Sequence, residues 1–334
     1  MNPYVTVLMP VYNSEMYLKE AIDSILNQTF RDFEFIVIND GSTDSTSDII
    51  KSYSDPRIIY LQNEKNCGVA KSLNKGLRIA RGKYIVRMDA DDISLPARLE
   101  KQVAFMDANP EIGVCGTWLK TFGNGNDIWT PPGTHDEIFV GIFFCYVNTY
   151  HPTVIIRKDT IKDLQEFYNE DFKQSEDVEY WARLANLGVK FANIEEVLLK
   201  YRIHEKNVSK IHHDIQKKYC DSVRLMHFRH LGIELTEEEM STYNVLMMGI
   251  SSNRVSIGKV SQLIIKIQEA NKKTKIFSNP TLSRELAHKW FGLCYNSSLN
   301  VFSFWILYFG NPIAMKLPVF HIIIRKVRRH FTRQ

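Results

Sequence analysis

No apolar run in this chain reaches the roughly 18 residues that a membrane-spanning helix needs, so an integral membrane protein is not expected. The N-terminus, MNPYVTVLMPVYNS, has no basic segment ahead of its apolar one, and a secretory leader is therefore not expected either. Cysteine is scarce: Cys67, Cys115, Cys145, Cys220 and Cys294 are odd in number and form no C-x-x-C pair. That pattern excludes a disulfide framework and a zinc site, and suits buried, reduced thiols in the cytosol. The first strand-to-helix turn lacks G-x-G-x-x-G, and no G-x-x-x-x-G-K-[ST] occurs, so nicotinamide enzymes and P-loop NTPases are poor readings. Charge of one sign is missing from one place only. After Glu285 there is no acidic residue, while Lys289, Lys316, Arg325, Lys326, Arg328, Arg329 and Arg333 follow. Without those seven, the formal net charge of +4 becomes a slightly acidic body carrying a basic tail.

What is present reads as a soluble globular protein, with 44% apolar and 24% charged residues in 334. That length suits one large domain or two ordinary ones. Strand and helix signals alternate through the first part. YVTVLM (4–9), FEFIVIN (33–39), RIIYL (57–61) and YIVRM (84–88) are short, apolar and partly β-branched. Between them, 14–28, STDSTSDIIKSY and 69–81 carry helical periodicity. The order implies right-handed crossovers and a doubly wound, mostly parallel α/β sheet. Further strands are expected at 112–118 and 153–157, with a helix at about 176–187. Beyond about residue 210 the strand signal ends. Segments 211–231, 236–250, 256–270 and 281–296 read as helices, placing a boundary between residues 1–210 and 211–334.

In an open parallel sheet, ligands bind at the carboxyl ends of the strands. Pro10-Val11-Tyr12-Asn13, Asn39-Asp40-Gly41-Ser42 and Asp89-Ala90-Asp91-Asp92 stand at three such ends. Three aspartates within four positions repel one another unless something positive joins them. A hard divalent ion, Mn or Mg, would answer this by bridging carboxylates to a diphosphate. An EF-hand fails, because Ile93 and Ser94 stand where an oxygen ligand and glycine are needed. The bland alternative is an Asp-rich turn that caps a helix beginning near Leu95.

The stretches VTVLMPVYNSEMYLKEAIDSILNQTF, FIVINDGSTDST, GKYIVRMDADD, HPTVIIRK and SEDVEYWARL, in this order and spacing, resemble the bacterial family 2 glycosyltransferases of the GT-A fold. The resemblance covers about residues 4–210. It implies transfer of a sugar from a nucleoside diphosphate sugar to an acceptor hydroxyl, with inversion at the anomeric carbon. Asp40 then matches the aspartate that accepts the N3–H of uracil, which argues against CMP-sugars and separates UDP from dTDP less well. Pro10, Val11, Tyr12 and Asn13 would flank the base, and Asp89 with Ala90 would lie near the ribose. Asp91 matches the metal-holding carboxylate, and His204, in YRIHEKNVS, a further ligand. Asp177 is the expected general base, with Glu176 and Trp181 on the acceptor side. A buried core tryptophan is the competing reading of Trp181. Other readings of the whole chain are a metal-dependent nucleotidyl or phosphoryl transferase, and a non-catalytic nucleotide-sugar-binding protein.

The tail joins VFSFWILYF (301–309) to LPVFHIIIRKVRRHFTR across Gly310-Asn311-Pro312. Apolar faces beside clustered Arg and Lys suit an interfacial helix on an anionic membrane. The expectation is a peripheral enzyme on the cytoplasmic leaflet, its residues 300–334 facing the membrane and its acceptor a lipid-linked saccharide of a surface polysaccharide, O-antigen or lipooligosaccharide. The alternative is that 301–324 packs on the catalytic domain or on a second subunit. Nucleic acid is not an expected partner, since RKVRRHFTR contains a single aromatic.

Overall fold

The computed structural model describes residues 2–144, 148–164, 167–172, 175–205, 213–249, 256–297 and 308–313, with the backbone alone for 213–218. The chain divides into two compact units, Met1–Arg224 and Leu225–Gln334. The expected boundary at 210/211 precedes this division, because the helix His213–His230 begins in one unit and ends in the other.

The first unit is built on nine strands: β1 (Val5–Val11), β2 (Phe33–Asn39), β3 (Ile58–Gln62), β4 (Tyr84–Arg87), β5 (Ile93–Ser94), β6 (Ile112–Gly123), β7 (Ile128–Trp129), β8 (Ile155–Arg157) and β9 (Lys190–Ile203). Their order is β3-β2-β1-β4-β8-β6-β9-β5, with β7 paired to β6. The first four strands are mutually parallel. Beyond β4 the sheet is mixed, since β8 runs antiparallel to both β4 and β6 while β9 runs parallel to β6.

Helix α1 (Leu18–Leu26) and helix α4 (Arg98–Ala108) cover one face, where Leu18, Ile22, Ile25, Leu99 and Val103 meet Val7, Met9, Phe35 and Val86. Full burial of such side chains contributes roughly 1.5–3 kcal/mol each. Helix α3 (Val69–Ile79) covers the other face against Leu8 and Ile38. Every residue of β2 is therefore buried, which is why FEFIVIN reads as a continuous apolar run rather than an alternation. Helix α2 (Thr46–Lys51) follows β2, and α5 (His135–Phe143), α6 (Lys158–Ile161) and α7 (Glu176–Asn186) complete the unit.

Two departures from expectation have a local cause. Strand β9 was not anticipated, because Glu195 and Glu196 interrupt its apolar pattern. The pairing with β6 jumps from Thr117↔Ile194 to Trp118↔Val197, so both glutamates sit in a bulge and the strand resumes beyond it. Helix α1 starts at Leu18 rather than at 14, because residues 13–15 bond instead to the segment after β2.

The second unit continues from α8 (His213–His230) with α9 (Glu237–Met248), α10 (Ile257–Thr274) and α11 (Asn279–Ser297). Thr236 and Glu239 form a reciprocal capping box at the start of α9. Among the described residues, no helix is long and apolar enough to cross a membrane. The tail expected at 300–334 lies outside the described residues except for Tyr308–Ile313.

Candidate active site

Strands β1, β2 and β4 run parallel, so the segments that follow them meet at one edge of the sheet. The Asp40 N–H donates to the carbonyl of Val11 at 2.8 Å, which joins the first two segments. Asn13 adopts a left-handed φ of 46°. Its amide donates to Ser42 Oγ at 3.0 Å and its Oδ1 accepts from the Thr43 amide at 2.9 Å. Glu15 and Asp44 repeat the exchange, each carboxylate accepting an amide N–H from the other's segment. With the Ser14 amide donating to Thr46 Oγ1 at 2.8 Å, five hydrogen bonds thus hold 13–15 to 42–46 before any ligand arrives. Pro10 and Val11 end β1, and Tyr12 is 46% exposed beside them, open to stacking.

Asp40 is 4% exposed and already engaged. Its Oδ1 accepts from Asn63 Nδ2 (2.8 Å) and the Cys67 amide (2.9 Å), and its Oδ2 from the Gly68 amide (2.8 Å). A carboxylate offers about four acceptor positions, so one remains for an imide N–H of a base. Gly41 makes the close packing possible. Its φ is +71°, and a Cβ there would lie 2.5 Å from the carbonyl carbon of Lys65.

At the end of β4, Asp89, Asp91 and Asp92 bring one oxygen each within 4.8 Å of the others. Asp89 pairs with the buried guanidinium of Arg87. Asp91 Oδ2 lies 2.9 Å from His204 Nε2. Asp92 Oδ1 accepts the Arg202 amide at 2.9 Å, while its Oδ2 is buried with no hydrogen-bond partner. Burial, then the charge of Asp89, pushes Asp91 up, with the bond to His204 opposing; burial and both neighbours push Asp92 well up. An orphaned oxygen, clustered like charges and one imidazole form a donor set that fits a hard divalent ion. The capping alternative is not what forms, since α4 starts after Ala97 with no side-chain cap.

Glu176 and Asp177 open α7, where the helix dipole favours carboxylates. Glu176 is 6% exposed, and burial followed by the charge of Asp177 pushes its carboxyl up to about 8. Burial also raises Asp177, which is half-buried and the more accessible of the two, its Oδ1 accepting the Val178 amide at 2.9 Å. Adjacent carboxyls in a poorly solvated place resist double ionisation and titrate as a pair. Arg87 and Asp89 act electrostatically on both, which ties the start of α7 to the end of β4.

The structure therefore brings Asp40, Asp89, Ala90, Asp91, His204, Glu176 and Asp177 to one side of the first unit. Trp181 is the exception: it is 4% exposed and packs edge-on to His151 and Phe191. Although it shares a helical face with Asp177, its burial among these rings makes it a core side chain.

Two arginines escaped the sequence reading. Arg87 could have been noticed as a charge inside an apolar strand just ahead of the carboxylates. Arg202 lies between the rings of Tyr17 and Phe122, pairs with Glu20 and donates Nε to the Asp91 carbonyl at 2.8 Å. Nothing local marks it, because its partners are eighty or more residues away in sequence.

Residues 6–173 match the family described as glycosyl transferase family 2. An uncharacterized glycosyltransferase of Haemophilus influenzae is 32% identical over 290 residues, covering 83% of this chain and 84% of that protein. The Escherichia coli protein named UDP-Glc:alpha-D-GlcNAc-diphosphoundecaprenol beta-1,3-glucosyltransferase WfaP is 30% identical over 207 residues, covering 61% of this chain and 79% of its own. Among solved structures, S. aureus TarS 1–349 in complex with UDP-GlcNAc superposes with a TM-score of 0.57 at 21% identity, covering 91% of this chain and 90% of TarS 1–349. That likeness concerns the fold, a GT-A sheet followed by helices. The chain belongs to glycosyl transferase family 2 and is a glycosyltransferase.

Proposed function

We propose that this enzyme transfers a hexose or N-acetylhexosamine from a UDP-sugar, with inversion, to a hydroxyl of a lipid-linked saccharide during assembly of a bacterial surface polysaccharide. The observation that carries the reading is the meeting of the Asp89–Asp91–Asp92 cluster with the Glu176–Asp177 pair through Arg87. The name of the WfaP relative supports donor and acceptor class. Its β-1,3 linkage is the product of inversion when the donor sugar is α-linked.

The remaining acceptor position of Asp40 receives the N3–H of uracil, and Tyr12 stacks beside the base with Pro10, Val11 and Asn13 as its floor. Asp89 and Ala90 lie along the ribose, and the Arg87 pair keeps Asp89 from turning away. Asp91, with His204 and the neighbouring carboxylates, would hold Mn or Mg, which when bound neutralises charge on the departing diphosphate. Asp177 accepts the proton of the acceptor hydroxyl as the new bond forms, and a single displacement inverts the anomeric centre. Glu176, carrying a proton near neutrality, binds the acceptor without competing as a base.

The test is transfer from UDP-glucose, UDP-galactose and their N-acetylated forms to a lipid-diphosphate saccharide, with calorimetry of UDP binding alongside. EDTA and Asp91→Ala are each expected to abolish metal-dependent UDP binding. Asp177→Asn should leave UDP-sugar affinity within a few-fold and lower kcat by at least about a hundredfold, as for loss of a general base. Full activity in excess EDTA rules out the metal, and surviving turnover of Asp177→Asn moves the base elsewhere.

A further inference from the structure

The stretch His151-Pro152-Thr153 has no role in the reaction as described, yet it forms a 3-10 turn directly behind the start of α7. His151 is buried, and three contacts surround its ring. Its Nε2 lies 2.9 Å from the Tyr168 hydroxyl, its Nδ1 faces Glu176 Oε1 at 3.9 Å, and its edge meets Trp181. Tyr168 is itself fixed at both backbone ends. Its amide donates to Asn74 Oδ1 at 2.9 Å and its carbonyl accepts from Asn74 Nδ2 at 2.8 Å, so helix α3 sets its position. The turn is equally fixed, with the Thr153 carbonyl accepting from Gln102 Nε2 at 2.7 Å and Thr153 Oγ1 accepting from the Thr117 amide. Against this frame, Glu176 Oε2 is buried and has no hydrogen-bond partner.

We propose that His151, braced by Tyr168, is a positioning residue that holds the Glu176 carboxyl and through it the orientation of the neighbouring Asp177. The inference rests on the reading of Asp177 as the base. An imidazole placed here must be neutral to do this, and burial together with the charge of Arg87 drives His151 well below its ordinary range. A cationic ring would ionise Glu176 and put two negative charges side by side. A neutral ring leaves Glu176 its proton and Asp177 the charge. The groups facing Glu176 are Asp177 on its own helix, Arg87 and Asp89 from the end of β4, His151 on the turn and Tyr168. The 3.9 Å gap to Nδ1 exceeds a hydrogen bond; such contacts commonly tighten only in the substrate complex.

The two ring nitrogens can be tested apart. An asparagine amide reaches about as far as Nδ1 and keeps a group facing Glu176, whereas a glutamine amide reaches about as far as Nε2 and keeps the contact to Tyr168. His151→Asn is expected to retain more activity than His151→Gln, and His151→Phe should lose about tenfold to a hundredfold in kcat, the scale of a misoriented reacting group. The donor KM should stay within about twofold in all three, as orientation rather than donor binding is affected. A role in packing alone predicts the opposite order, with His151→Phe best tolerated. Should the ring substitutions not fold, Tyr168→Phe removes one oxygen and is expected to lower kcat measurably at unchanged donor KM. Wild-type kcat in His151→Phe or, where that does not fold, in Tyr168→Phe overturns the proposal, as does His151→Gln outperforming His151→Asn. Asp177→Asn run in parallel keeps the two readings separate: its survival would remove the base assignment, whereas its loss beside an unaffected His151→Phe removes only this one.

Discussion

Three buried ionisable side chains in the first unit show how neighbours decide what a side chain can do. Glu34, inside β2, accepts the Arg81 amide and guanidinium and the Thr6 hydroxyl. Arg98 has hydrogen bonds to Gln102 and the Arg87 carbonyl in full burial, which pushes it down to about 9. Glu176 has neither a cation in contact nor enough donors, so it keeps its proton. The stability consequence has a definite sign. Well below pH 4.5 the carboxyl is protonated in both folded and unfolded chains. Between 4.5 and about 8 the unfolded chain releases that proton while the folded chain retains it, so stability falls as pH rises and levels off above about 8. Glu176→Gln cannot ionise. Its stability relative to wild type, measured by urea unfolding, should therefore grow from pH 5 to pH 8.5, and a flat difference would show that Glu176 ionises normally.

At the scale of elements, the site depends on loops that lock to one another across strand ends. Asp-Gly-Ser after β2 turns sharply because Gly41 takes φ +71°, and the loop 63–68 then lies against its bare Cα. A side chain at 41 meets backbone atoms that cannot rotate away, and a positive φ adds strain of order 1–3 kcal/mol. Gly41→Ala is expected to lower stability by about that amount and to raise the donor KM several-fold, with kcat changing less, because Asp40 and its loop bind donor rather than acceptor. Calorimetric UDP affinity equal to wild type would contradict this. The repeated strand-helix spacing up to residue 88 is readable because each element there carries its own period. Strand β9 is not, because its two-glutamate bulge is defined by the register of β6.

At the scale of the whole molecule, a mostly parallel catalytic sheet is followed by helices and a tail whose charge is entirely basic. Membrane docking through that tail remains a proposal from sequence. Each basic residue near an anionic surface adds about 1 kcal/mol, so replacing Arg325, Lys326, Arg328 and Arg329 with Ala should weaken partition by more than about a hundredfold. Sedimentation of the full chain with anionic liposomes at low and high salt reads this directly. Equal sedimentation of both proteins would leave the tail for a protein contact instead.

The sequence by itself determined the strand-helix alternation, the change to helices after about residue 210 and the gathering of Asp40 and Asp91 at one edge of the sheet. These features are carried by local periodicity and by motifs whose members lie at strand ends, where the parallel sheet must gather them. Only the tertiary structure decided that Trp181 faces the core, that Asp40 already holds a loop with most of its acceptor capacity, and that Arg87 and Arg202 brace the carboxylates. It also placed His151 behind Glu176, two residues that are 25 positions apart in the chain. These outcomes depend on which distant side chains share a buried volume. Burial sets the cost of leaving a polar group unpaired, and no local pattern reports which partner will be there to meet it.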